Sequence, residues 1–170
     1  MMQTPFIPRR FSSLAAQKVD QLKVIVFPVA SYWLALPINA VLKVILSPPV
    51  TTTADSDRHG LGMVDVDRQT VTVINLHQHL KPSTGPQPLQ RRFLILTQTR
   101  QGELCGIPVD APPVLMEIPL EAIRPLPATY RQSDPLGMAS HMALLQEEEG
   151  ERQVYLLGMQ KLLMEKQGHP

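Results

Sequence analysis

Proline constrains this chain more than any other residue: seventeen are spread through 170 positions. Inside a helix, proline removes a hydrogen bond and clashes with the preceding turn. Only 5% of the residues are aromatic. Together these argue against a helical bundle and for short elements with many turns.

The apolar runs between the prolines read mostly as strands. Val24–Val29 and Tyr32–Leu36 are continuous apolar runs joined by Ala30–Ser31, as in a hairpin. Pro37 stands where a helix would start, since its fixed φ suits a first turn. Ile38, Val41, Leu42 and Ile45 follow at i, i+3, i+4 and i+7, which predicts a short helix ended by Ser47-Pro48-Pro49. After a polar loop at 51–60, Met63–Val66 and Val71–Leu76 form a hairpin around Asp67–Thr70.

A proline-rich polar stretch at 81–90 divides the chain near its middle. Beyond it, Phe93–Thr97 and Leu104–Val109 are strands joined by a turn at 100–103. Pro108 pushes the second of these toward a sheet edge or a bulge. Val114–Ile118 is another strand. Residues 139–149 are good helix formers, yet a Gly150 turn and a further apolar run, Val154–Leu157, favour a hairpin with Met138–Leu145. The whole is mostly β, in one or two small barrels.

Hydrophobic residues make up 44% and charged residues 18%, with a formal net charge of +1. That balance is globular and offers no field to attract nucleic acid or anionic lipid. One cysteine excludes an internal disulfide and a cysteine zinc cluster, which fits a cytoplasmic setting. No apolar run approaches the roughly 20 residues of a membrane span, so direct membrane insertion is not expected. Residues 1–20 read as a flexible or amphipathic-helical arm ahead of a domain over 21–165.

Reactive groups are sparse. His77 and His79 would share a strand face and could bind a metal, which supplies the competing reading of a small metal-binding barrel or enzyme. No carboxylate or third histidine lies nearby in sequence, so solvent-facing histidines at a strand end are the simpler reading. Cys105 sits in an apolar strand and reads as a buried thiol. Asp65 with Asp67, and the run Glu147–Glu149, read as solvated faces. Met63, Met138 and Met142 are core filler or the lining of a pliable groove. No catalytic residue and no cofactor is expected.

Four motifs in order carry a family resemblance. The stretch Tyr32-Trp33-Leu34-Ala35-Leu36-Pro37-Ile38, followed by Val41-Leu42-Lys43-Val44-Ile45, is similar to a strand pair running into an Ile/Leu-Pro helix start and V-x-E-V-I. Gly62–Leu76 is similar to G-V-I-N-L-R-G-x-V-V-P-V-x-D-L without a gap. Gly106-Ile107-Pro108-Val109-Asp110 is similar to G-x-x-V-D. Leu156–Leu163 approximates L-L-D-x-x-x-L-L. Over about residues 22–164 the chain resembles a CheW-like domain, the receptor–kinase coupling module of bacterial chemosensory arrays.

The resemblance implies two SH3-like five-stranded β-barrels sharing a hydrophobic core, with one short helix after the second strand. It implies a non-enzymatic adaptor, recruited to arrays at the membrane, that couples a CheA-type histidine kinase to a methyl-accepting-type chemoreceptor. The contact residues it points to are Val41, Lys43, Val44, Gly62, Asp67, Gly106, Val109 and Asp110. For the valines, simple burial competes with that reading.

Where the family has glutamate in V-x-E-V-I this chain has Lys43, and where it has arginine in N-L-R-G it has Asp67. Both signs are exchanged together, which predicts a Lys43–Asp67 ion pair and a pathway of its own. Leu126–Arg131 and Gly137–His141 further resemble CheW-like proteins of cyanobacterial phototaxis and type IV pilus systems.

Overall fold

The computed structural model describes residues 20–54, 61–80, 88–98, 102–127 and 139–158. Residues 1–19 of the N-terminal arm, 55–60 of the polar loop, 81–87 of the linker, 100–101 of the turn, 128–131 of the Leu126–Arg131 stretch, Gly137 and Met138, and the closing motif beyond Gly158 lie outside these residues.

Among the described residues, eleven strands form two sheets. The first contains β1 (Gln21–Val29), β2 (Tyr32–Pro37), β8 (Val114–Pro119), β9 (Ile123–Pro125), β10 (Ala139–Glu147) and β11 (Gly150–Leu157), in the order β8-β1-β2-β11-β10-β9. The second contains β3 (Val41–Leu46), β4 (Leu61–Val66), β5 (Gln69–Ile74), β6 (Phe93–Gln98) and β7 (Leu104–Val109), in the order β3-β6-β7-β5-β4. Pairing is antiparallel except at β2–β11 and β5–β7.

Connectivity shows that both sheets curl. β8 and β9 lie at opposite edges of the first sheet, yet only Leu120–Ala122 separates them. A flat sheet of that order would place its edges about 24 Å apart. Four chain steps from Pro119 to Ile123 reach at most about 14 Å. The sheet therefore wraps until its edges approach, a barrel. The second sheet is stitched directly: beyond edge strand β3, Thr51 exchanges two backbone hydrogen bonds with Met63 on edge strand β4, at 2.9 and 2.8 Å. The first sheet has six strands rather than five because β8 and β9 are one strand path broken at Pro119.

The core has three parts. Val24, Val26, Ala35, Ile118, Ala143, Val154 and Leu156 fill the first barrel. Val64, Val71, Val73, Leu94 and Leu96 fill the second. Between them, Ile25, Phe27, Leu34 and Leu36 of the first sheet meet Ile74, Ile95, Ile107 and Val109 of the second. Successive strand residues point to opposite faces. β1 therefore sends its even-numbered residues into its own barrel and its odd-numbered ones into the shared core, which explains a continuous apolar run. The expected pair of barrels with a common core is present.

Several local expectations need correction. Residues 38–45 are not a helix: Ile38–Ala40 form one 3₁₀ turn, and Val41–Leu46 is strand β3, paired with β6. The i, i+3, i+4, i+7 spacing was real, but Val41, Val44 and Ile45 are β-branched, and pairing along β6 prevails over a marginal short helix. His77 and His79 lie on helix α1 (Leu76–Leu80), not on a strand. Positions two apart on a helix stand about 200° apart around its axis, so the shared strand face is lost. β7 is interior, not an edge, despite Pro108. Its parallel pairing with β5 covers only Cys105 and Gly106, so the missing amide of Pro108 falls beyond that ladder. Residues 139–147 are a strand, as the meander predicts, because pairing with β9 and β11 outweighs helix propensity.

Candidate functional site

The site builds outward from edge strand β3. Its ladder with β6 shifts register between Val41 and Lys43, a bulge that re-aims the side chains beyond it. The β4–β5 hairpin turns through Asp67 and Arg68, both with positive φ, 51° and 67°. Positive φ at both central residues is the primed turn that matches strand twist, normally served by Asn-Gly or Asp-Gly. Arg68 therefore holds a conformation that glycine adopts without strain.

This turn delivers Asp67 to β3. Lys43 Nζ donates to Asp67 Oδ2 at 3.0 Å, so the predicted ion pair is formed. The two side chains are 50% and 76% exposed. Such an exposed pair contributes only about 0.2–1 kcal/mol to stability. Both charges are nonetheless accessible to a partner.

The same two edge strands also expose apolar side chains. Leu42, Val44 and Leu46 on β3 and Met63 on β4 are all exposed, Leu46 by 69%. An exposed apolar edge strand is a surface on which another chain can dock. Val44 is thus on the surface, whereas Val41 is partly buried against the shared core. The helical reading hid Leu42 and Leu46. Read as a strand, Leu42, Val44 and Leu46 recur with period two, and that signal would have found them.

The remaining candidates lie elsewhere. Gly62 is buried, and a Cβ there would overlap Leu89 and stand 2.8 Å from Val50 Cγ1. A Cβ on Gly106 would stand 3.0 Å from Leu94 Cδ1. Val109 is wholly buried in the shared core. These three serve packing. Asp110 is exposed and accepts a hydrogen bond from Arg91 Nη1 at 2.8 Å, with His77 Nε2 at 4.0 Å. Burial, then the Arg91 charge, hold the His77 pKa below its usual value, while Asp110 pulls the other way. The eight residues therefore divide into an exposed rim (Lys43, Val44, Asp67), a packed interior, and Asp110 in a separate cluster.

Cys105 is buried in the shared core. Among the described residues, no three or more His, Cys, Asp and Glu side chains are grouped to hold a metal ion. No helix among them is long and apolar enough to cross a membrane.

Comparison with known proteins adds two findings. The family model for the CheW-like domain matches residues 23–167. Among solved structures, the fold is similar to that of the scaffolding protein TtCheW from Thermoanaerobacter tengcongensis: 18% identity, 81% of this chain and 84% of that one covered, TM-score 0.65. No curated protein matches the chain.

Proposed function

The chain belongs to the CheW-like domain family, and from that premise we propose that it is a non-enzymatic scaffold coupling a CheA-type histidine kinase to a chemoreceptor within a chemosensory array. It works in the cytoplasm, held at the membrane by the receptors it joins. The acting domain runs over 21–165, with the arm of residues 1–20 outside it. The surface that grips a partner is the rim of Lys43, Asp67, Leu42, Val44 and Leu46.

One observation carries this reading: an exposed 3.0 Å ion pair whose two charges are both reversed relative to the family pattern. Reversal in concert keeps the local geometry and inverts the local field. Complementary charge sets specificity and association rate more than affinity. A partner matched to the usual arrangement meets like charges here, which discriminates against it. The partners are therefore dedicated ones, in a pathway distinct from a general chemotaxis array. The resemblance to phototaxis and pilus-system relatives supports the same choice.

The test is binding of the co-encoded kinase and receptor to purified protein. Lys43→Glu and Asp67→Arg should each weaken binding about tenfold, and the double exchange should recover part of that loss. Strictly additive single effects would remove the claim that Lys43 and Asp67 act as a pair in binding.

A further inference from the structure

The tip of the β4–β5 hairpin holds a residue that its backbone does not suit. Arg68 sits at a φ of 67°, in the left-handed region, where a Cβ crowds the following carbonyl. Elsewhere the chain meets the same demand with small residues. Gly102 before β7 and Gly150 at the start of β11 take φ of 88° and 126°, and Ala30 serves the β1–β2 turn at 55°. Asp67 also has a positive φ, but aspartate tolerates it because its short side chain can bond locally. Arginine has no such compensation. The hairpin carries a long cation where its turn geometry favours glycine.

Nothing inside the protein accounts for that choice. Arg68 is exposed and, among the described residues, makes no hydrogen bond, ion pair or ring contact. The charges near it are otherwise engaged. Lys43 Nζ and Asp67 Oδ2 stand 3.0 Å apart. Asp65 Oδ1 accepts from Thr70 Oγ1 at 3.4 Å, and no ion pair joins Asp65 to Arg68. A strained residue without a contact in its own fold points to a role outside it.

On the premise that the rim is the docking surface, we propose that Arg68 is a specificity-determining contact of that surface. Its guanidinium grips a carboxylate side chain of the partner protein, beside the Lys43–Asp67 pair. Charge chooses the carboxylate. Lys43 and Asp67 sum to zero, so Arg68 is the uncompensated cation next to them, and the complementary face is acidic there. Shape agrees, because the planar guanidinium matches a carboxylate through two parallel hydrogen bonds.

Two variants remove the charge and keep the turn, R68G and R68N, since glycine and asparagine both adopt positive φ. Binding of the co-encoded kinase and of the co-encoded receptor to the full chain is measured for each, with denaturant midpoints alongside. Both variants should hold or raise the midpoint. Both should weaken binding of at least one of the two partners about tenfold, chiefly through faster dissociation. R68K keeps the charge without the fork and should recover part of the loss. Added salt should weaken wild-type binding more than that of R68G. Wild-type protein that binds neither partner would end the proposed function and this contact with it. Wild-type binding that R68G and R68N leave unchanged would end the contact alone. So would a lowered midpoint in both variants, which would give Arg68 a structural role, or an R68K that binds no better than R68G.

Discussion

Two corners of this molecule are built from nearly the same words. Leu36-Pro37-Ile38-Asn39-Ala40-Val41 and Ile118-Pro119-Leu120-Glu121-Ala122-Ile123 both run strand, proline, one 3₁₀ turn, strand. The prolines have almost the same φ, −59° and −60°, and each turn closes with a hydrogen bond to its first residue's carbonyl, donated by the Val41 N–H to Ile38 and by the Ile123 N–H to Leu120. In each the residue before proline is wholly buried and the residue after it exposed: Leu36 against Ile38, Ile118 against Leu120. Their destinations differ. The first corner carries the chain from one barrel to the other, whereas the second closes the first barrel on itself. The first then continues for a full six-residue strand, while Pro125 and Pro127 end the second at once. The corner is therefore a unit of fold. What the first copy adds beyond it, Leu42 to Leu46, is surface.

The strongest break of this comparison comes from the buried residue before each proline. Leu36→Ala and Ile118→Ala should each cost about 2–5 kcal/mol in denaturant unfolding. Their patterns should differ. Leu36 lies in the shared core, so its loss should speed amide exchange in β1, β2 and β7 alike. Ile118 lies inside the first barrel, and its loss should leave β6 and β7 protected. Identical exchange patterns would mean that the two corners are not distinct in role.

That distinction also explains what could be read from sequence. The strands of the shared core were legible because burial on both faces writes an unbroken apolar run, as in Val24–Val29. β3 was not, because four apolar residues at helical spacing are also what an edge strand with a bulge presents. The second corner held the correction: its Pro125 forbids a helix of any length after Ala122. The Lys43–Asp67 pair was legible because two charges had exchanged in step. The stacking of the Arg152 guanidinium on Trp33 was not, since the two residues are far apart in sequence and meet only through parallel pairing of β2 with β11.

A smaller effect sharpens the contrast at the hairpin that serves the first copy alone. Arg68 is held at a φ of 67°. Arg68→Gly should stabilise the fold by about 0.5–1 kcal/mol, because relief of the left-handed strain exceeds the entropy glycine adds to the unfolded chain. An unchanged or lowered denaturant midpoint would show that Arg68 earns its place through contacts. Smaller again are the prolines themselves: Pro37→Ala and Pro119→Ala should each cost about 0.4–1 kcal/mol through the unfolded chain, and the double variant should be additive within about 0.5 kcal/mol. Marked non-additivity would couple the corners directly.

The smallest expected effect on stability separates fold from function most sharply. At the place where the first copy has Lys43, counting from the proline, the second has Pro125, and the corner forms all the same. The Lys43–Asp67 pair is therefore not required to make the turn. A thermal or denaturant double-mutant cycle with Lys43→Met and Asp67→Asn should give a coupling of about 0.2–1 kcal/mol that fades with added salt, as befits side chains this exposed. The same positions, measured by binding of the co-encoded kinase or receptor, should give the larger coupling. If the ranking were reversed, with the pair strong in folding and absent in binding, Lys43 and Asp67 would be a brace between β3 and the β4–β5 turn, and the docking surface would have to be sought elsewhere on the molecule.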